Sequence, residues 1–181
     1  MAKAALIVID MLNDFVKGAL KCPRAQRIIP QIRKLIRAAR KKGVKVIYAN
    51  DAHLPAVDAE FDVWGAHAVK GTKGAEVIDE LKPQKGDFVI EKRRYSGFFE
   101  TDLDILLREL KVDRVILTGL HTNCCVKHTA ADAMFRGYKI IIPEDGVEAF
   151  SEEDHRSGLE YLKKFYKASV MSTREVLEEM G

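Results

Sequence analysis

The sequence has no disulfide framework, no long apolar run and no surplus of one charge sign. Cysteine is scarce, with three residues, Cys22, Cys124 and Cys125, in a chain of 181. So few, and an odd number, fit a reducing compartment. No apolar run approaches the ~20 residues that a membrane helix requires. The opening MAKAALIVIDMLNDF meets Asp10 too early to hold a signal-peptide core. A cytoplasmic protein with no membrane partner is expected. Thirty Lys and Arg face 27 Asp and Glu, and the two signs are interleaved. A nucleic-acid binder gathers its basic excess on one face, so no nucleic-acid partner is expected either. Repeats, low-complexity stretches and Pro/Gly/Ser linkers are also missing, so residues 1–181 read as a single domain.

The remainder is ordinary globular composition, 47% hydrophobic and 31% charged. Short β-branched runs stand at 4–9, 44–49, 87–91, 114–118, 138–142 and 168–171. They are almost wholly apolar, as strands covered on both faces are. Helical patterns lie between them. Ile28, Ile29, Ile32, Leu35, Ile36 and Ala39 recur at helical spacing, and Gly43 ends that helix. Thr101 is placed to cap a helix bearing Leu103, Leu106, Leu107 and Leu110. Residues 125–135 form a further helix, ended by Gly137, and Ser151 with its following acids opens another. A last short helix starts near Thr173. Such alternation predicts an α/β fold in which helices wrap a parallel sheet. Ligands in these folds bind at the carboxyl ends of strands, so polar residues just after strands are the candidates for chemistry.

Asp10 follows the first strand, where a partly desolvated carboxylate suits a base and equally suits a turn cap. The second strand ends in Asn50-Asp51-Ala52-His53. Asp51 and His53 point to one side of an extended chain, and with His67 they make a two-His, one-carboxylate set for zinc, iron or manganese. A non-haem iron oxygenase uses the same set. Lys92 would leave the third strand where Asp10 leaves the first, if those two strands are near in the sheet, either as an ion-pair partner or to hold charge that develops in a reaction. Arg93 and Arg94 read as solvated or subunit-contact residues. After the fourth strand, Thr122 suits an N-cap, which places Cys124 and Cys125 in the first helical turn. Backbone N–H groups and the helix dipole there lower a thiol pKa and can receive an oxyanion. A free cysteine also serves as a small buried apolar residue, and position alone does not choose between the two thiols. His128, one turn on, is a second candidate base, though it lies along the helix rather than at the crevice.

These residues lie in segments that resemble the isochorismatase-like family of cysteine hydrolases. The segments are VIDMLNDF at 8–15, NDAH at 50–53, WGAHAVKGTKGAEV at 64–77, EKRRYSGFFETDLD at 91–104 and TGLHTNCCVKHTAADA at 118–133. The resemblance implies a three-layer αβα fold with a six-stranded parallel sheet and Rossmann-like winding. It implies a catalytic set of Asp10, Lys92 and Cys125, with Cys124 as a pocket neighbour. It further implies a cis peptide at Leu120–His121 and an oxyanion hole from the N–H groups of His121 and Cys125. Nicotinamidases of the family bind a divalent metal, zinc above all, at positions matched by Asp51, His53 and His67, and Phe15 and Trp64 match aromatic pocket positions. Their further His after D-x-H is missing here, where Leu54-Pro55-Ala56-Val57-Asp58 follows. A nicotinamidase-like amidohydrolase acting on a small amide through a thioester is therefore expected, as a homo-oligomer. Carbamoyl or ureido hydrolysis within the same family is the alternative, ahead of vinyl ether cleavage.

Overall fold

A computed structural model describes residues 3–180. The strands are β1 (Ala4–Ile9), β2 (Lys45–Asp51), β3 (Phe88–Lys92), β4 (Arg114–Leu120), β5 (Lys139–Pro143), β6 (Val147–Glu148) and β7 (Ser169–Met171). The helices are α1 (Asn13–Val16), α2 (Ile29–Lys42), α3 (Phe61–Trp64), α4 (Leu103–Glu109), α5 (Cys125–Phe135), α6 (Glu152–Tyr166) and α7 (Thr173–Glu179). The main sheet runs β3-β2-β1-β4-β5-β7, and its pairings are parallel. The six apolar runs of the sequence are the strands of this path. The seventh strand, β6, has two residues and pairs with the end of β4.

Strand β1 shows how the layers form. Its alternate side chains feed two cores: Leu6 and Val8 pack with Ile32, Leu35 and Ile36 of α2 on one face. Ala5, Ile7 and Ile9 pack with Leu103 and Leu107 of α4 and Val126 of α5 on the other. This is period-2 burial on both faces. The apolar stripe of α2 faces the first core, and Gly43 closes the helix at a left-handed φ of 73°.

Chain order reverses across β1, which pairs with β2 on one side and β4 on the other. The crevice at such a reversal is the usual ligand site of an open α/β sheet. Gly119 lines its floor. A Cβ there would stand 2.0 Å from the Ile9 carbonyl oxygen, and its φ is 110°, so only glycine fits. Strands β2 and β4 extend two residues beyond their apolar runs, to Asp51 and Leu120. Polar Asn50 and Asp51 keep the ladder because β3 pairs beside them, with Asp51 opposite Lys92.

Candidate active site

Three side chains from separate strand ends meet at this crevice. Asp10 turns off β1 at a φ of 52°, a conformation that Asp tolerates better than most residues. One of its oxygens accepts the Asp51 N–H at 2.8 Å. The Lys92 ammonium lies 2.8 Å from the other. That second oxygen, Oδ2, is buried, and the Lys92 ammonium is the cation that faces it. Lys92 also donates to Asp51 at 2.5 Å and is itself fully buried. The Cys125 sulfur stands within 4.8 Å of an oxygen of each carboxylate. The structure thus brings Asp10, Lys92 and Cys125 together.

Burial sets the protonation states. Desolvation and the neighbouring Asp51 push Asp10 up to about 7, against the pull of Lys92. Lys92 itself is raised well above its usual value, because Asp10 and Asp51 outweigh its burial. The hydrogen bond with Cys124 and burial hold Cys125 well above the ordinary thiol range. Cys124 moves the other way, down to about 6, through its bonds with Cys125 and His128. Contrary to the dipole expectation, the thiol beside Asp10 is raised, and the lowered one is its neighbour, held down by side-chain bonds. A buried neutral thiol next to a carboxylate of pKa about 7 calls for general-base activation.

The loop between β4 and α5 differs from the sequence expectation at one residue. Cys124, not Thr122, is the N-cap of α5, and no side chain caps it. Thr122 instead bonds His155 through its hydroxyl, at 2.9 Å. At α4 the cap falls on Asp102, while the Thr101 hydroxyl accepts the Leu103 N–H at 3.3 Å. The Leu120–His121 bond is cis. The N–H groups of His121 and Cys125 have no backbone partner among the described residues. Docking of the β3 loop on α5 fixes Lys92 relative to Cys125. Ser96 bonds Asp132 at 2.6 Å, and the Gly97 N–H bonds Thr129 at 3.0 Å.

Asp51, His53 and His67 also converge, joined by Glu60, each offering an atom within 4.8 Å of the others. Their second atoms are already committed. His53 Nδ1 lies 3.1 Å from Asp58, and His67 Nδ1 lies 2.8 Å from the Gly65 carbonyl oxygen. With Nδ1–H donated, each Nε2 presents a lone pair, and His53 Nε2 is buried with no hydrogen-bond partner among the described residues. Burial and Asp51 push Glu60 up to about 7, as befits a carboxyl short of positive charge. This donor set fits a divalent cation, with Asp58 orienting one imidazole as outer carboxylates do. Arg93 is not a free surface cation: it holds Asp58 through two nitrogens. The sequence reading missed Glu60, Asp58 and Arg93. The acids five and seven residues after His53 were the only signal.

Between the thiol and the four-donor cluster lies a cavity of about 230 Å³. Phe15, Trp64 and Cys124 line it, as the resemblance implied, with Tyr95, His121 and Phe150 in addition. Trp64 donates to the Tyr95 hydroxyl at 2.9 Å. His121 stacks on Phe150 at 4.3 Å. Burial pulls His121 down to about 4, which keeps it neutral. Asp51 and Glu60 reach the lining, and no Lys or Arg does among the described residues. Cys22 lies apart, buried, with its thiol donating to Ala149 at 3.3 Å. No described helix is long and apolar enough to cross a membrane.

Comparison with known proteins bears on this geometry. Residues 4–175 match the family described as "Isochorismatase domain". N-carbamoylsarcosine amidase from Thermoplasma acidophilum is 44% identical, with a TM-score of 0.89 over 94% of this chain and 96% of that one. Nicotinamidase PncA from Bacillus subtilis is 37% identical, with a TM-score of 0.89 over 94% and 99%. Pyrazinamidase of Pyrococcus horikoshii in complex with zinc is 32% identical, with a TM-score of 0.87 over 94% and 99%.

Proposed function

The chain belongs to the isochorismatase family, as an amidohydrolase of non-peptide C–N bonds, and we propose that its substrate is a small neutral aromatic amide of the nicotinamide type. One observation carries the substrate class. The cavity is walled by aromatic rings and, among the described residues, is lined by two carboxylates and by no Lys or Arg. A carbamoyl or ureido acid would bring its own carboxylate beside Asp51 and Glu60, where no Lys or Arg among the described residues lines the cavity and only an ion held by the four-donor cluster could pair it. A neutral ring meets no such cost and packs on Phe15, Trp64 and Phe150.

Cys125, Asp10 and Lys92 carry the reaction in this reading. Asp10 takes the Cys125 proton as the sulfur attacks the amide carbonyl. The free N–H groups of His121 and Cys125 receive the developing oxyanion. Asp10 returns the proton to the departing nitrogen, and ammonia leaves. The same carboxylate then draws a proton from the water that cleaves the thioester, releasing the acid. Lys92 stays charged throughout and holds Asp10 in place. Asp51, His53, Glu60 and His67 would hold a divalent ion. Bound there, that ion supplies a Lewis-acid position suited to a ring nitrogen.

The 44% identity with an N-carbamoylsarcosine amidase favours carbamoyl hydrolysis as the second reading. An ammonia-release assay against nicotinamide, pyrazinamide, N-carbamoylsarcosine and ureido acids separates the two. The uncharged ring amides are expected to turn over at least tenfold faster by kcat/KM. Preference for the anionic compounds would overturn the proposal.

A further inference from the structure

The loop that carries the unpaired N–H groups is held from outside by one segment. Phe150 stacks on the His121 ring at 4.3 Å and an interplanar angle of 18°. His155 Nδ1 meets the buried Thr122 hydroxyl at 2.9 Å. The Glu148 carbonyl oxygen accepts the Thr122 N–H at 2.8 Å. Asp154 accepts a hydrogen bond from the Asn123 amide at 3.1 Å. Gly158 closes the contact. A Cβ there would fall 3.0 Å from Thr122 Cγ2 and 3.1 Å from the Asn123 nitrogen. Residues 121, 122 and 123 are thus each held by a partner from the stretch 148–158.

Two of these contacts are more than packing. Asp154 is itself fixed, because Ser151 donates to its carboxylate at 2.6 Å and accepts its N–H at 3.0 Å. The first turn of α6 is therefore a rigid mount, and Asp154 and His155 are its two arms. The helix that begins at Cys125 has no side-chain cap of its own. From within α5 the loop is met at backbone carbonyls, by the Val126 N–H on His121 at 3.2 Å and by His128 Nδ1 on Cys124 at 2.8 Å, whereas its side chains at 121, 122 and 123 are held by the 148–158 stretch. An oxyanion hole depends on donors held to a fraction of an ångström, and displacement of about 1 Å costs on the order of 10²-fold in rate.

We propose that Asp154 and His155 are positioning residues for hydrolysis. Acting through Asn123 and Thr122, they hold the His121 and Cys125 N–H groups where the oxyanion forms. The inference rests on the thiol reading above. It places the mount on a helix that contributes no group to the chemistry.

The test uses the amide that the enzyme turns over fastest, with His155→Leu, His155→Asn, Asp154→Ala and Asp154→Asn variants. His155→Leu and Asp154→Ala are expected to lower kcat tenfold or more, with KM within threefold and Tm within a few degrees of the parent. His155→Asn sets a polar atom near the place of Nδ1, and Asp154→Asn keeps an acceptor oxygen, so each restores most of kcat. Pyridine-3-carbaldehyde supplies a second readout. The Cys125 sulfur adds to its carbonyl carbon, the carbon–oxygen π bond opens onto the oxygen, and the thiol proton passes to Asp10. Its inhibition constant is expected to rise in step with the fall in kcat. Parental kcat in His155→Leu and Asp154→Ala would overturn the inference. So would a loss that Asn does not rescue, or one that moves with KM and Tm. A Cys125→Ala variant that still turns over would instead sink the thiol reading itself, so the two failures are distinguishable.

Discussion

Lys92 donates a 2.5 Å hydrogen bond to Asp51, and through it the thiol side of the cavity is tied to the four-donor cluster. The same ammonium lies 2.8 Å from Asp10. One buried cation thus bridges two buried carboxylates.

Lys92→Met should therefore damage both stability and activity. Removing one member of a buried ion cluster leaves the others unpaired, at a cost of about 3–5 kcal/mol. Urea unfolding is expected to show a loss of that size, and ammonia release should fall by about 10³-fold. A Lys92→Met protein with parental stability would show that the cluster is not held by this charge.

The two adjacent thiols should separate by pH. Cys124 sits at about 6, while Cys125 lies well above the ordinary thiol range. The thiolate is the reactive form, so alkylation of Cys124 by iodoacetamide should rise as pH increases through about 6. At pH 7 Cys124 should be modified before Cys125, as read by fragment-ion mass spectrometry of the peptide that carries both. His128→Ala removes one bond that holds the thiol down and should shift the rise to higher pH. Cys124→Ser should abolish the fast phase and keep turnover, since Asp10 faces the other sulfur.

Metal binding should depend on residues beyond the first three. Competition with a chelator, with the ion content measured directly, should give one divalent ion per chain. Glu60→Gln should weaken binding, and Asp58→Ala should weaken it about 10–100-fold by releasing His53. Unchanged affinity in both variants would remove Glu60 and Asp58 from the site.

Much of this site was legible because it sits where an α/β sheet puts ligands. Asp10, Asp51 and Lys92 stand at strand ends and Cys125 opens the helix after β4, and the run at 4–9 matched β1 residue for residue. What was hidden lies in loops or across long sequence distances. Glu60 and Asp58 have no periodic pattern to mark them, and they reach His53 only when the loop folds back. Arg93 looked like a solvated charge because its partner, Asp58, is 35 residues away. Thr122 looked like a cap because its true partner, His155, is 33 residues away. The ends of β2 and β4 were missed because ladder bonds from neighbouring strands, not apolar character, hold Asp51 and Leu120 in place.

The central claim is that the Cys125 sulfur attacks the amide carbonyl. Ammonia release from nicotinamide by the parent and by Cys125→Ala, with binding of nicotinamide followed by calorimetry, tests it most directly. The variant is expected to bind nicotinamide within a few-fold of the parent and to lose at least 10³-fold in turnover. A Cys125→Ala enzyme that keeps a tenth or more of parental turnover would contradict the account.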